Sequence, residues 1–123
     1  VDEHVASLSA RIERQIRSEH IDLTDRADRL CAEFELPPPA SIRWVSNQHH
    51  RWGSCTAADR TIRISDRLAQ APPFVVDYVV LHELTHLVEA NHGARFSQLM
   101  ERYPLGERAE GYLLALAHLA PSS

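Results

Sequence analysis

Hydrophobic side chains recur every three or four residues through the first third of the chain. The first series with this spacing is Val5, Leu8, Ile12 and Ile16, and the second is Leu23, Ala27, Leu30 and Phe34. The period places each series on one face of a helix. We therefore predict helix through about residue 35, with a break near residues 20–22.

A different pattern follows the three prolines at 37–39, which cannot continue a helix. Residues 41–46 and 61–65 alternate apolar and polar side chains, the period of a half-buried strand. The segment Arg-Trp-Gly-Ser-Cys at 51–55 lies between them. We predict three short antiparallel strands in this region.

The last third returns to helical spacing. Two prolines at 72–73 open an apolar run from Phe74 to about Ala90, and Asn91 is suited to the left-handed residue that often ends a helix. Two more helices are predicted, at 94–102 and 107–119.

Together these patterns predict an α+β fold in a single domain spanning residues 1–123. Its parts are a helical scaffold at 1–36, a sheet at 41–65 and helices at 73–119. The hydrophobic fraction of 44% and charged fraction of 24% are those of an ordinary soluble domain.

Charge and composition exclude several classes of protein. No apolar stretch approaches the ~20 residues that cross a bilayer, so we expect no membrane association. The 13 basic and 17 acidic side chains give a net charge of −4, which does not favour binding to nucleic acid through bulk charge. Two unpaired thiols, Cys31 and Cys55, without a signal-peptide pattern, favour a reducing cytoplasm.

The strongest chemical signal is His82-Glu83-Leu84-Thr85-His86, an HExxH pattern inside the predicted helix. Histidines four residues apart lie one turn apart on the same face, so both imidazoles can reach one zinc ion. Glu83 is then the candidate base that takes a proton from water. HExxH is expected by chance ~0.04 times in this composition, and a third histidine at a preset offset lowers that to roughly 0.003.

Two residues are candidates for the third ligand. His92 follows His86 by six residues, just past the predicted helix end, so a turn at Asn91 would return it to the metal. Glu110, on the last predicted helix, is the alternative carboxylate ligand. Glu89 is expected to support the site from outside the ligand set.

Several other side chains carry weaker signals. We expect Trp44 and Trp52 to pack in the core, and Cys55 to be a small buried residue rather than a nucleophile. Tyr103 and Arg95 are candidate donors to an oxyanion.

Two local features have alternative readings. The pair His49-His50 could line a cleft, although a solvated turn is favoured. Gly53, inside a strand, either leaves a cleft floor open or marks a close approach of the backbone.

Four segments together resemble the YgjP-like metallopeptidase domain, a relative of SprT-like and WLM zincins. They are RWGSC at 51–55, IRI at 62–64, DYVVLHELTHL at 77–87, and Asn91-His92 with Phe96. The resemblance covers about residues 41–104.

The resemblance implies a small α+β zincin that cleaves peptide bonds. It implies zinc ligands at His82, His86 and His92, with Glu83 catalytic. Such enzymes bind peptide along an edge strand, which would place Arg51, Trp52 and Gly53 beside the substrate. We expect a peptide or protein substrate, with specificity supplied by a partner protein.

Two other functions stay open. YbeY-type endoribonucleases use the same spacing of three histidines around a metal, but lack glutamate after the first. A zinc-stabilised module without turnover, binding DNA or protein, would instead have a closed site of four ligands.

Overall fold

The structure is a computed structural model that describes residues 21–48 and 51–119. In chain order its helices and strands are α1 (Leu23–Phe34), β1 (Ser41–Val45), β2 (Gly53–Thr56), β3 (Thr61–Ser65), α2 (Pro73–Val88), α3 (Ala94–Glu101) and α4 (Gly106–Leu119), with a 3₁₀ helix (Asp66–Gln70) after β3. The predicted α+β class is confirmed. The helix predicted for the first 20 residues, and the pair His49-His50, lie outside the described residues.

The helix α1 has a definite start and end. The Asp22 side chain accepts a hydrogen bond from the Asp25 backbone N–H at 3.0 Å, which caps the first turn. Glu35 adopts a left-handed conformation (φ 57°) and ends the helix. The predicted apolar series is buried: Leu23, Ala27, Leu30 and Phe34 are at most 6% exposed.

The sheet differs from the prediction. Its strand order is β1-β3-β2, with β2 antiparallel to β3 but β1 parallel to β3. The prediction of three antiparallel strands was therefore wrong for β1. Alternating polarity identifies the faces of a strand but not its direction. Here the chain crosses from one edge of the sheet to the other between β1 and β2, so β3 enters between them.

The helix α2 forms the centre of the core. Val75, Val76, Val80, Leu81 and Leu84 are at most 1% exposed. This helix contacts β2 and β3 on the sheet and the three other α-helices of the described residues. It carries the HExxH pattern, so the candidate site is fixed to a helix of the hydrophobic core.

The end of α2 also differs from the prediction. The helix stops at Val88, and Glu89 is extended (φ −139°, ψ 98°) rather than helical. Asn91 is not left-handed, because Glu35 and Arg60 are the non-glycine residues of positive φ in the described part of the chain. The extended segment after Val88, rather than a tight left-handed turn, returns the chain toward the helix.

Side-chain contacts tie α2 to neighbouring segments. Arg26 of α1 donates to the Asp77 carboxylate of α2 at 2.7 Å, and both side chains are at most 25% exposed. The Tyr103 hydroxyl donates to the Phe74 carbonyl at 2.7 Å. Among the described helices, none combines the length and apolar character needed to cross a membrane.

Candidate metal centre and active site

Three histidines converge on one point beside α2. His82 and His86 lie one turn apart on the helix, and their ring centroids are 4.8 Å apart. His92 comes from the extended segment after the helix, and its Nε2 lies 2.8 Å from Nε2 of His86. One ligand nitrogen from each ring lies within 4.8 Å of the others. The structure thus brings together the three residues predicted as ligands.

Neighbouring groups orient these rings. Nδ1 of His86 lies 3.3 Å from the Glu89 carbonyl, so it can donate there and leave Nε2 available for a metal. Phe96 of α3 is buried, and its ring centroid lies 5.1 Å from that of His82, 4.5 Å from that of His86 and 4.7 Å from that of His92. Phe96 therefore supports all three imidazoles from one side, a role that the sequence reading did not assign.

His82 and His86 have the protonation state that a metal requires. Burial, with smaller contributions from His86 and His92, lowers the pKa of His82 to about 4. Burial also lowers the pKa of His86. Neutral imidazoles offer a lone pair at neutral pH, and three nitrogen donors suit an ion that takes such ligands at ~2.0–2.1 Å. The residues present fit a zinc ion.

Glu83 lies in the wall of the same site and is 6% exposed. Burial raises the pKa of its carboxyl to about 7, although the neighbouring Cys55, Arg51 and Arg63 act in the opposite direction. A carboxyl whose pKa lies near neutrality is suited to accept and return a proton.

Cys55 lies beside Glu83 on the helix-facing side of β2. Burial, with a smaller effect of Glu83, raises the pKa of the Cys55 thiol to about 11. A protonated thiol is a poor nucleophile, as expected, although Cys55 is half-buried against the core rather than fully buried.

A cleft of about 770 Å³ opens over the histidines. β2 forms one side of this cleft, α4 forms the other, and α2 contacts both. Arg51, Trp52 and Gly53, the predicted substrate contacts, all lie along it. Arg51 is exposed, whereas Trp52 is half-buried against the core, with the Arg67 guanidinium 4.3 Å from its ring centroid.

Gly53 marks a close approach between β2 and α2. A Cβ atom there would lie 3.1 Å from Val79 Cγ1, 3.2 Å from the Arg63 carbonyl oxygen and 3.2 Å from Glu83 Cγ. The backbone has no positive φ at this residue, so space rather than conformation accounts for glycine. The close-approach reading is the one that the structure supports.

Glu110 lies outside the three-histidine cluster. Its Oε1 accepts a hydrogen bond from the Tyr78 hydroxyl at 2.6 Å. Tyr78 lies one turn before His82 on α2, and both residues line the cleft. The sequence reading did not single out Tyr78, although its spacing of four residues from His82 was a usable signal.

The two predicted oxyanion donors have other partners. The hydroxyl of Tyr103 is bonded to the Phe74 carbonyl. Arg95 forms an exposed ion pair with Glu89 at 3.2 Å. Neither residue lines the cleft between β2 and α4.

Comparison with known families decides the assignment. The family model of the YgjP-like metallopeptidase domain matches residues 2–108. The chain belongs to the YgjP-like metallopeptidase family. The match extends well beyond residues 41–104, over which the sequence motifs showed the resemblance. Family membership supports a metal-dependent peptidase.

Two solved structures share this fold. The zymogen of jannalysin from Methanocaldococcus jannaschii aligns with 18% identity and a TM-score of 0.65, covering 77% of this chain and 96% of that one. The zymogen of abylysin from Pyrococcus abyssi aligns with 19% identity and a TM-score of 0.67, covering 80% and 95%. Both are metallopeptidase zymogens. No curated protein matches this YgjP-like chain in sequence.

Proposed function

We propose that this YgjP-like chain is a zinc-dependent peptidase, with residues 1–123 acting as one catalytic domain. His82, His86 and His92 would hold the ion through ring nitrogens. A zinc ion in such a site supplies Lewis-acid chemistry, lowering the pKa of water and polarising the substrate carbonyl. The convergence of these three rings beside a buried Glu83 is the observation that carries the proposal.

Glu83 is the proposed general base. Its carboxylate accepts a proton from the attacking water and later delivers that proton to the leaving amine. Burial favours this shuttle because it brings the pKa of the carboxyl to about 7, where both protonation states are accessible. The helix α2 holds the backbone of Glu83 in the core, which places the side chain beside the cleft.

The substrate is proposed to bind along β2. Among the described strands, β2 pairs with β3 alone, and its other edge would receive a peptide in extended conformation. Main-chain hydrogen bonds to such an edge tolerate many sequences. Arg51, Trp52 and Gly53 lie at the start of this edge and would contact the substrate backbone or its side chains.

The decisive experiment compares wild-type protein with Glu83→Gln. Zinc-loaded wild type should cleave a pool of quenched peptides, whereas Glu83→Gln should bind zinc equally and lose cleavage by at least about 100-fold. Glu33→Gln, the same change on the exposed side of α1, is the matched control and should retain activity.

The same preparations should be incubated with structured RNA. Cleavage of RNA but not of any peptide would replace the proposal with an endoribonuclease. Stoichiometric zinc without hydrolysis of either substrate would replace it with a binding module. Full peptidase activity in Glu83→Gln would remove Glu83 from its assigned role.

A further inference from the structure

The α4 side of the cleft carries an apolar surface. Val79 of α2 and Leu113 of α4 form its buried part, whereas Leu114 and Ala117 of α4 are exposed. The Glu110 carboxylate, bonded to Tyr78, lies one turn before Leu114. Leu114 is 74% exposed, the highest value among the exposed large hydrophobic side chains of the described residues. Covering an exposed leucine with an apolar group is favourable, so Leu114 can contribute free energy to binding an apolar group in the cleft.

The geometry of β2 indicates which group reaches this apolar surface. Side chains alternate between the two faces of a strand, so Gly53 and Cys55 share one face of β2. That face is directed at α2, because a Cβ on Gly53 would contact Val79 and Glu83. A peptide that adds to the open edge of β2 continues the sheet, so every second side chain of that peptide also projects to the helical side.

We propose that Leu113, Leu114 and Ala117 form a subsite for a large apolar side chain of the substrate, next to the bond that is cleaved. The inference rests on the proposed peptidase function and adds a substrate class to it. The substrate side chain that projects to the helical side enters the space between β2 and α4. A leucine or phenylalanine there covers Leu114, whereas an aspartate would lose its hydration without gaining a partner from these three residues.

The subsite predicts a measurable selectivity. Covering a large apolar side chain distinguishes it from a charged one by about 10-fold or more in kcat/KM. Two series of quenched peptides test this, each identical except for leucine, phenylalanine, aspartate or lysine at one position flanking the cleaved bond. Wild type should prefer leucine and phenylalanine at one of these positions.

Leu114→Glu should change that preference without unfolding the protein, because the side chain is mostly exposed. The new carboxylate should lower the leucine-to-lysine ratio of kcat/KM by at least about 5-fold. Ala115→Glu is the matched control. It places the same charge at the next, exposed position of α4, away from the cleft lining, and should leave the ratio unchanged.

Binding of the same peptides to zinc-loaded Glu83→Gln protein, measured by fluorescence anisotropy, gives a readout without turnover. If wild type cleaves no peptide but this variant binds leucine peptides selectively, the subsite stands and the peptidase proposal fails. Equal cleavage of all peptides, or an unchanged ratio in Leu114→Glu, overturns the subsite and leaves the peptidase proposal intact. If Leu114→Glu instead dissociates a dimer without altering selectivity, a second copy covers the apolar surface and the subsite is likewise overturned.

Discussion

Gly53 gives the sharpest test of how β2 is held against the catalytic helix. Gly53→Ala adds one methyl group at a position where Val79, the Arg63 carbonyl and Glu83 all lie at 3.1–3.2 Å. Ordinary contacts between carbon atoms are ~3.5–4.0 Å, so at least one neighbour must move by a few tenths of an ångström. The Arg63 oxygen belongs to the backbone of β3, and Val79 is β-branched and held in the core, so the unbranched side chain of Glu83 is the group most easily displaced.

The magnitude follows from two opposing effects. Replacing glycine reduces the entropy of the unfolded chain and stabilises by about 0.4–1 kcal/mol. Overpacking a tight contact costs about 1–3 kcal/mol. We expect a net loss of about 1 kcal/mol for Gly53→Ala and about 2–3 kcal/mol for Gly53→Val, whose two further methyl groups enter the same space.

Urea unfolding of purified variants measures these values. Gly111→Ala is the matched control, because nothing lies within 4 Å of a Cβ at that residue of α4. Gly111→Ala should raise the free energy of unfolding by about 0.8–1 kcal/mol, because alanine has the higher helix propensity. The same substitution should therefore stabilise the protein at Gly111 and destabilise it at Gly53. Peptide cleavage by Gly53→Ala should fall by about 10-fold with zinc content unchanged, because Glu83 moves while the histidines do not.

The reasoning would be refuted by a Gly53→Ala protein that is as stable and as active as wild type. That result would mean that β2 and α2 are not in close contact at Gly53. A fully active, zinc-replete Gly53→Val protein would contradict it more strongly still.

Three further predictions rest on other contacts. Phe96→Ala removes the ring that supports all three imidazoles, so its zinc affinity in a chelator competition should be about 10-fold weaker than that of wild type. The zinc affinity of Phe96→Leu should be closer to that of wild type. Asp77→Asn breaks a half-buried ion pair and should lower the free energy of unfolding, measured in urea, by about 1–2 kcal/mol. Asp25→Asn, at an ion pair whose side chains are more than 60% exposed, should change that free energy by less than about 0.5 kcal/mol. The pKa of the Cys55 thiol is raised to about 11, so at pH 8 Cys55 should be alkylated ~100-fold more slowly in the folded protein than in the urea-unfolded protein. Peptide mass spectrometry follows the reaction, and equal rates in the two states would show an accessible, unperturbed thiol.

Local patterns predicted most of the elements because each depends on neighbouring residues. Helical spacing located α1, and the change to alternation located β1 and β3. The prediction for α3 and α4 agrees with the structure within one residue at each end.

The direction of β1 could not be read in this way. Parallel pairing of β1 with β3 depends on where the chain crosses the sheet, and no local side-chain pattern records that choice. The end of α2 was missed for a related reason. Asn91 favours a left-handed conformation, but the helix ends earlier, at an extended Glu89 whose carbonyl faces His86.

The candidate ligands were recognisable because their chemistry is rare and their spacing is fixed by the helix. The contacts that surround them come from distant segments. Phe96 reaches the imidazoles from α3, and Glu110 reaches Tyr78 from α4. Such pairings between elements are set by packing, which is why local patterns did not predict these contacts.

The zinc content of His92→Ala and Glu110→Ala tests the central claim most directly. Elemental analysis of purified protein should find about one zinc per chain in wild type and in Glu110→Ala, because Glu110 is bonded to Tyr78 outside the histidine cluster. His92→Ala should lose most of its zinc, since two imidazoles alone bind the ion weakly. Zinc retained without His92 but lost without Glu110 would contradict the three-histidine site and replace it with a carboxylate-ligated one.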